Sequence, residues 1–164
     1  KFRVQTSDVL VAQMEAIGAS PQPMAFSEVY GALQTGVVDG QENTWSNVYG
    51  KKFFEVQDGT TETNHGIIDY LVVTSVDWLD SLDADVRDQF TTILSEVTET
   101  RNGEAFAVNE GAKQSILDAG GTIRQLDDAK RAAWVEAMKP VWDQFAGDVG
   151  QDMIDAAQSF NAGS

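Results

Sequence analysis

Gly36-Val37-Val38-Asp39-Gly40-Gln41-Glu42-Asn43-Thr44-Trp45 is the stretch around which the rest of the chain is arranged. Gly36 stops a helical pattern, because a residue without Cβ accepts the left-handed backbone that follows a helix end. Val37-Val38 is a brief apolar step and Asp39-Gly40 a turn. Asn43 or Thr44 then caps a helix running through Trp45, Val48, Tyr49 and Lys52 toward Phe53. An amide, a carboxylate and an indole thus fall within four positions, at a polar corner between two amphipathic segments.

Upstream, Phe2 to Val4 reads as a short strand that delivers Arg3 to the polar loop Gln5-Thr6-Ser7. Ser7 or Asp8 caps a helix with Leu10, Met14 and Ile17 on one face, and Gly18 ends it. Strand, loop and helix start form the opening of a βα unit. Ala19 to Met24 carries two prolines and is extended, since proline disfavours helix at the residue before it. Ser27 with Glu28 opens a helix whose Val29 and Leu33 face inward.

Downstream, Asp58-Gly59 marks a turn, and Thr60 to Ser75 has a strand-like pattern. Both faces of Ile67, Ile68, Tyr70, Leu71, Val72 and Val73 are apolar, which predicts a central strand covered on both sides. Asp83 to Ala119 reads as one helical stretch with Val86, Phe90, Ile93 and Val97 on one stripe, continued by Val108, Ala112 and Ile116. It is several times longer than the usual helix of about 11 to 12 residues, so it is either broken near Gly103 or spans two bodies. Gly120-Gly121 ends it and Thr122 to Leu126 adds a strand. Asp127 or Asp128 caps a helix bearing Trp134, Met138, Val141 and Phe145, kinked or interrupted at Pro140. A last helix uses Met153, Ala157 and Phe160, and the tail Asn161 to Ser164 frays.

Composition excludes several functions. With 26 acidic and 11 basic residues among 164, the net charge is −15, which repels phosphate backbones and argues against a nucleic-acid partner. The chain has no cysteine and a single histidine, His65, so thiolate and multi-histidine metal sites are ruled out. Glu62 and His65 would meet only on a helix, in a region that reads as strand; His65 reads as structural. No Gly-rich phosphate loop, G-x-S-x-G elbow or H-E-x-x-H occurs. Asp39 with Glu42 is a carboxylate pair of the kind glycoside hydrolysis requires, yet among 26 acids such pairs arise by chance.

The more specific constellation is Arg3 with the polar corner. A guanidinium at a strand end binds both oxygens of a carboxylate at once, which lysine's point charge does not reproduce. Asn43 adds an amide donor, and Trp45 or Phe26 an aromatic wall. At an effective dielectric of about 20, opposite charges about 4 Å apart attract by roughly 4 kcal/mol before desolvation. The overall charge does not forbid an anionic ligand, because exposed charges beyond about 8 Å are screened. Spacing alone leaves this open against a plainer reading, in which Arg3 is a surface cation and Trp45 a core residue.

The run from Gly18 to Asn43, GASPQPMAFSEVYGALQTGVVDGQEN, resembles the signature of extracytoplasmic solute-binding proteins of tripartite ATP-independent periplasmic (TRAP) transporters. Lys1-Phe2-Arg3-Val4 resembles the family strand with the selectivity arginine, and Met138-Lys139-Pro140-Val141-Trp142 a segment near the family's C-terminus. Asn43-Thr44-Trp45-Ser46-Asn47 is similar to the branch that binds C4-dicarboxylates such as succinate, fumarate and malate. The resemblance implies that Arg3 clamps a ligand carboxylate, Asn43 hydrogen-bonds it, Trp45 walls the pocket with Phe26 beside it, and Glu42 holds Arg3 from behind. Some family members bind a metal near the position of Asp69, but nothing in this sequence argues for a metal or any other cofactor.

The implied fold is α/β and periplasmic-binding-protein-like, with two lobes around a cleft crossed by hinge strands and a long helix. On this reading residues 1–68 and 109–164 are the second lobe, and 69–108 packs on a first lobe that the chain does not supply. That lobe comes from the same protein, if the chain is a mature or truncated piece, or from another chain. The implied function is periplasmic capture of an organic acid and its delivery to a membrane TRAP permease, without turnover. A carboxylate-dependent hydrolase and a helix-mediated assembly module are the alternatives.

Overall fold

The computed structural model describes residues 1–161. Its first sheet is β1 (Phe2–Val4), β2 (Pro21–Pro23) and β3 (Gly40–Gln41), parallel and in the order β2-β1-β3. Arg3 lies opposite Gln22 on one side and Gln41 on the other. Both prolines of β2 sit on an edge strand, where a missing N–H costs no ladder bond.

α1 (Asp8–Ala16) connects β1 to β2; Ser7 caps it and Gly18, at φ 80°, ends it. Its buried residues are Ala12 and Met14. Ile17 is not on the buried face as expected: it is the C-cap, 38% exposed, because the helix stops one residue before it. One 3-10 turn, Phe26–Glu28, leads into α2 (Val29–Gln34), whose Val29 and Leu33 are buried as the spacing predicts. α3 (Trp45–Gly50) is capped by Thr44. It ends short of the expected Lys52, which takes a left-handed φ of 58° and turns the chain into a 3-10 segment, Phe53–Val56.

β4 (Thr60–Glu62) pairs in parallel with β5 (Ile123–Gln125) as a separate two-stranded sheet. The expected central strand at Ile67 to Val73 is absent. Residues 63–75 carry no strand among the described residues, and Ile67, Leu71 and Val73 are more than 80% exposed. The apolar pattern is present, but among the described residues it is only lightly covered: Ile68 is half-buried and Asn47 reaches the Tyr70 hydroxyl, while Ile67, Leu71, Val72 and Val73 stay exposed.

After α4 (Val76–Asp80), α5 runs without a break from Ala84 to Asp118, 35 residues, through Gly103. Only Ala112 and Ile116, near its C-terminal end, are buried. Val86, Ile93 and Val97, expected on an inward stripe, are about half exposed, while Phe90 meets Trp78 edge-on at 5.4 Å. Gly120, at φ 85°, and Gly121 turn the chain back; Gly121 N–H donates to the Ile116 carbonyl at 2.8 Å. A Cβ on Gly121 would stand 2.6 Å from Ile116 Cγ2 and 2.9 Å from its carbonyl oxygen, so the reversal needs glycine.

α6 (Asp128–Val149), capped by Asp127, passes uninterrupted through Pro140 and packs on α1, burying Met138 and Val141. α7 (Gln151–Asn161) follows; of its expected inward residues, Met153 is 63% and Phe160 85% exposed. The remaining tail lies outside the described residues. The main core joins α2, α3 and the end of α5 through Val29, Leu33, Val38, Val48, Phe53 and Ile116. No helix of the described residues is long and apolar enough to cross a membrane.

Candidate carboxylate-binding site

The chain leaves β1 toward β2 on one side and returns to β3 on the other. The carboxyl ends of β1 and β3 therefore flank a topological switch point, the place where open α/β sheets leave a crevice for ligands. Arg3 comes from β1; Glu42, Asn43 and Trp45 follow β3 directly.

Arg3 is 2% exposed. Its Nε and Nη2 both donate to the Met24 carbonyl, at 3.1 and 2.8 Å, and Met24 N–H in turn donates to Val4. The Phe26 ring lies 5.9 Å from the guanidinium carbon and packs edge-on against Phe53. Nη1 is buried without a hydrogen-bond partner. Burial lowers the Arg3 pKa and the Glu42 charge raises it; a guanidinium stays charged across the physiological range regardless. A charge so enclosed, with one fork edge fixed and one donor unmatched, is what a carboxylate oxygen completes.

Glu42 is 8% exposed and its Oε1 also lacks a partner. Burial raises its pKa and Arg3 opposes the rise. Its Oε2 is 3.8 Å from His65 Nε2, while His65 Nδ1 is 2.6 Å from Thr63 Oγ1. Burial lowers the His65 pKa, so the ring is neutral near pH 7 and the contact with Glu42 is not an ion pair. Among the described residues no three His, Cys, Asp or Glu side chains converge as a metal set.

Asn43 Nδ2 donates to Gln41 Oε1 at 3.0 Å, and its Oδ1 accepts from Asn47 Nδ2 at 2.7 Å. Asn47 Nδ2 also reaches the Tyr70 hydroxyl at 3.1 Å. Trp45 is half-buried against the core, with Lys113 Nζ 5.5 Å from its ring. Lys113 grips both oxygens of Glu62, at 2.7 and 2.9 Å, so Glu62 does not pair with His65.

Arg3 thus meets Phe26 and feels the charge of Glu42, Asn43 bonds to Gln41 and Asn47, and Trp45 stands beside Lys113. Glu42 lies near Arg3, but the direct hydrogen bonds on the guanidinium come from Met24. His65, Asn47 and Lys113 were not singled out from the sequence as site residues. His65, as the only histidine, carried a compositional signal and Asn47 lies in the run Asn43 to Asn47 that carried the branch resemblance; Lys113 carried none.

A parallel sheet with a buried arginine at its switch point is the arrangement in which open α/β sheets offer a crevice. Residues 1–148 match the model of bacterial extracellular solute-binding protein, family 7, and the chain belongs to that family. The family consists of solute-binding proteins of transporters and is extracytoplasmic.

The chain is 65% identical over 161 residues to the C4-dicarboxylate-binding periplasmic protein DctP of Vibrio cholerae, covering 98% of this chain and 48% of that protein. The TRAP periplasmic solute-binding protein of Shewanella oneidensis, solved with bound succinate, superposes with a TM-score of 0.91 at 49% identity, over 95% of this chain and 52% of that one. The corresponding Pseudomonas aeruginosa protein, with bound L-malate, gives 0.83 at 39% identity, over 87% and 50%. The chain spans about half the length of these relatives.

Proposed function

We propose that the chain forms one wall of a periplasmic cleft that captures a C4-dicarboxylate, such as succinate, fumarate or malate, for a membrane TRAP permease. The observation that carries this is Arg3: a buried guanidinium at the switch point, held on one edge by Met24, with Nη1 unmatched. In this reading Arg3 clamps one carboxylate and Asn43 hydrogen-bonds it. Trp45 and Phe26 wall the pocket, and Glu42 steadies the arginine through its charge. The ligand leaves unchanged, as a binding component requires. The names and bound acids of the relatives support the ligand class.

Residues 1–68 and 109–164 make up this lobe, and 69–108 packs on the opposite one. The exposed apolar run at Ile67 to Val73 and the half-exposed stripe of α5 support that division. Two lobes closing on a ligand bind it far better than one, so the 164-residue chain alone should bind weakly.

Calorimetry with succinate, fumarate and malate on a protein carrying both lobes tests the reading. Arg3→Lys should weaken binding on the order of 100-fold with little change in Tm, because lysine keeps the charge and loses the fork. Unchanged affinity removes Arg3 from this role. Conversion of any of the acids by the protein would overturn the non-catalytic reading.

A further inference from the structure

α5 presents Asn109, Ala112, Lys113 and Ile116 at the spacing of a single helix face. Ala112 and Ile116 are buried, and this face packs on α3, the helix that begins with Trp45. Its two polar members both reach the start of α3. Asn109 Oδ1 accepts from Ser46 N–H at 3.1 Å, and its own Nδ2 donates to the Ala105 carbonyl, which orients the amide. Ser46 N–H is one of the first-turn donors that a helix leaves unsatisfied. Thr44 Oγ1 serves Asn47 N–H, so two orphan donors of α3 have separate caps, one of them from 63 residues away.

Lys113, one turn further on, stands over the Trp45 ring while Glu62 holds its ammonium with both oxygens. The pair is 19% and 16% exposed, so the charge is partly desolvated and its attraction to the ring is stronger than at an open surface. An apolar pair would fill this space at lower desolvation cost, so what the ions add is orientation. Trp45 is held between the core and a fixed cation.

We infer that Asn109 and Lys113 are positioning residues for the ligand wall, setting the Asn43-Thr44-Trp45 corner and thereby the affinity for the acid. The inference rests on the dicarboxylate reading of the Arg3 cleft. It adds that part of the affinity resides in the long helix, outside the residues that touch ligand.

The test is calorimetry with succinate, fumarate and malate on a protein carrying both lobes, with urea unfolding run on every variant. Lys113→Met, and Lys113→Met with Glu62→Gln so that no carboxylate is stranded, should weaken binding about three- to thirtyfold. Lys113→Arg should restore it to within about twofold, which a merely space-filling role would not require. In a Trp45→Leu background Lys113→Met should add no further loss. Asn109→Ala should also weaken binding, since it leaves Ser46 N–H without its acceptor. Parent-like affinity in the Lys113→Met/Glu62→Gln variant overturns the inference, as do losses from Lys113→Met and Trp45→Leu that multiply. A parent that binds none of the three acids overturns the dicarboxylate reading instead, before any substitution is compared.

Discussion

The two ends of α5 share one helix and obey different physics. Around Ile116 the helix joins a core in which Val29, Val38, Val48 and Phe53 are 1% exposed or less. From Ala84 to Val108 no residue is buried, although Val86, Phe90, Ile93 and Val97 repeat at helical spacing. The run at Ile67 to Val73 resembles that second end: it is apolar on both faces, yet no residue in it is buried. Apolar periodicity therefore states what a segment is able to bury against, and says nothing about whether the partner is in the same 164 residues.

The largest effect that tests this contrast comes from placing the same charge in each region. Ile116→Asp in this chain should cost about 3 to 5 kcal/mol, from a lost core side chain plus an unpaired buried carboxylate. Leu71→Asp should stay within about 0.5 kcal/mol. In a protein carrying both lobes Leu71→Asp should become strongly destabilising. Urea unfolding of both proteins measures this, and a large Leu71→Asp cost in the 164-residue chain would break the comparison.

A smaller effect uses one glycine substitution with opposite signs. Gly121→Ala drives a Cβ into Ile116 and its carbonyl and should destabilise by about 1 to 3 kcal/mol. Gly103→Ala meets nothing within 4 Å and should stabilise the helix by roughly 0.5 to 1 kcal/mol. Thermal unfolding that moved in the same direction for both would remove the distinction between the two ends.

The smallest change expected is with pH. The folded His65 pKa lies below its ordinary value because the ring is buried, so its contribution to stability is complete above about pH 6.5 and is lost as pH falls through the depressed value. Glu42, raised by burial, acts in the opposite sense: its contribution is complete below its ordinary value and is lost as pH rises through the raised one. The stability advantage of the parent over His65→Gln should therefore shrink between about pH 7 and about pH 5. An advantage constant over that range would show that the ring is not buried as described.

Local chemistry made much of the fold legible. Ser7, Thr44 and Asp127 cap helices because a side-chain oxygen meets a nearby N–H, and Gly18, Gly36 and Gly120 reverse the chain at positive φ. These are decisions taken within four residues. Arg3 and the corner at Asn43 stand out by residue type and by the family resemblance, since spacing alone leaves Arg3 open as a surface cation; its burial emerges only in the structure.

What could not be read off depends on contacts between distant segments. Lys113 with Glu62, 51 residues away, and Asn109 with Ser46, 63 away, leave no periodic trace, and neither does the approach of His65 to Glu42. The exposure of Ile67 to Val73 was hidden for a related reason, since hydrophobicity records an appetite for contact and not its source.

The unbroken passage of α5 through Gly103 has a mechanical consequence. At 1.5 Å per residue, the part from Ala84 to Val108 extends about 37 Å beyond the segment anchored on α3. A tilt of about 5° at the anchored end would move the far end by on the order of 3 Å. Without a break at Gly103, a tilt at the anchored end is carried undiminished along the whole helix.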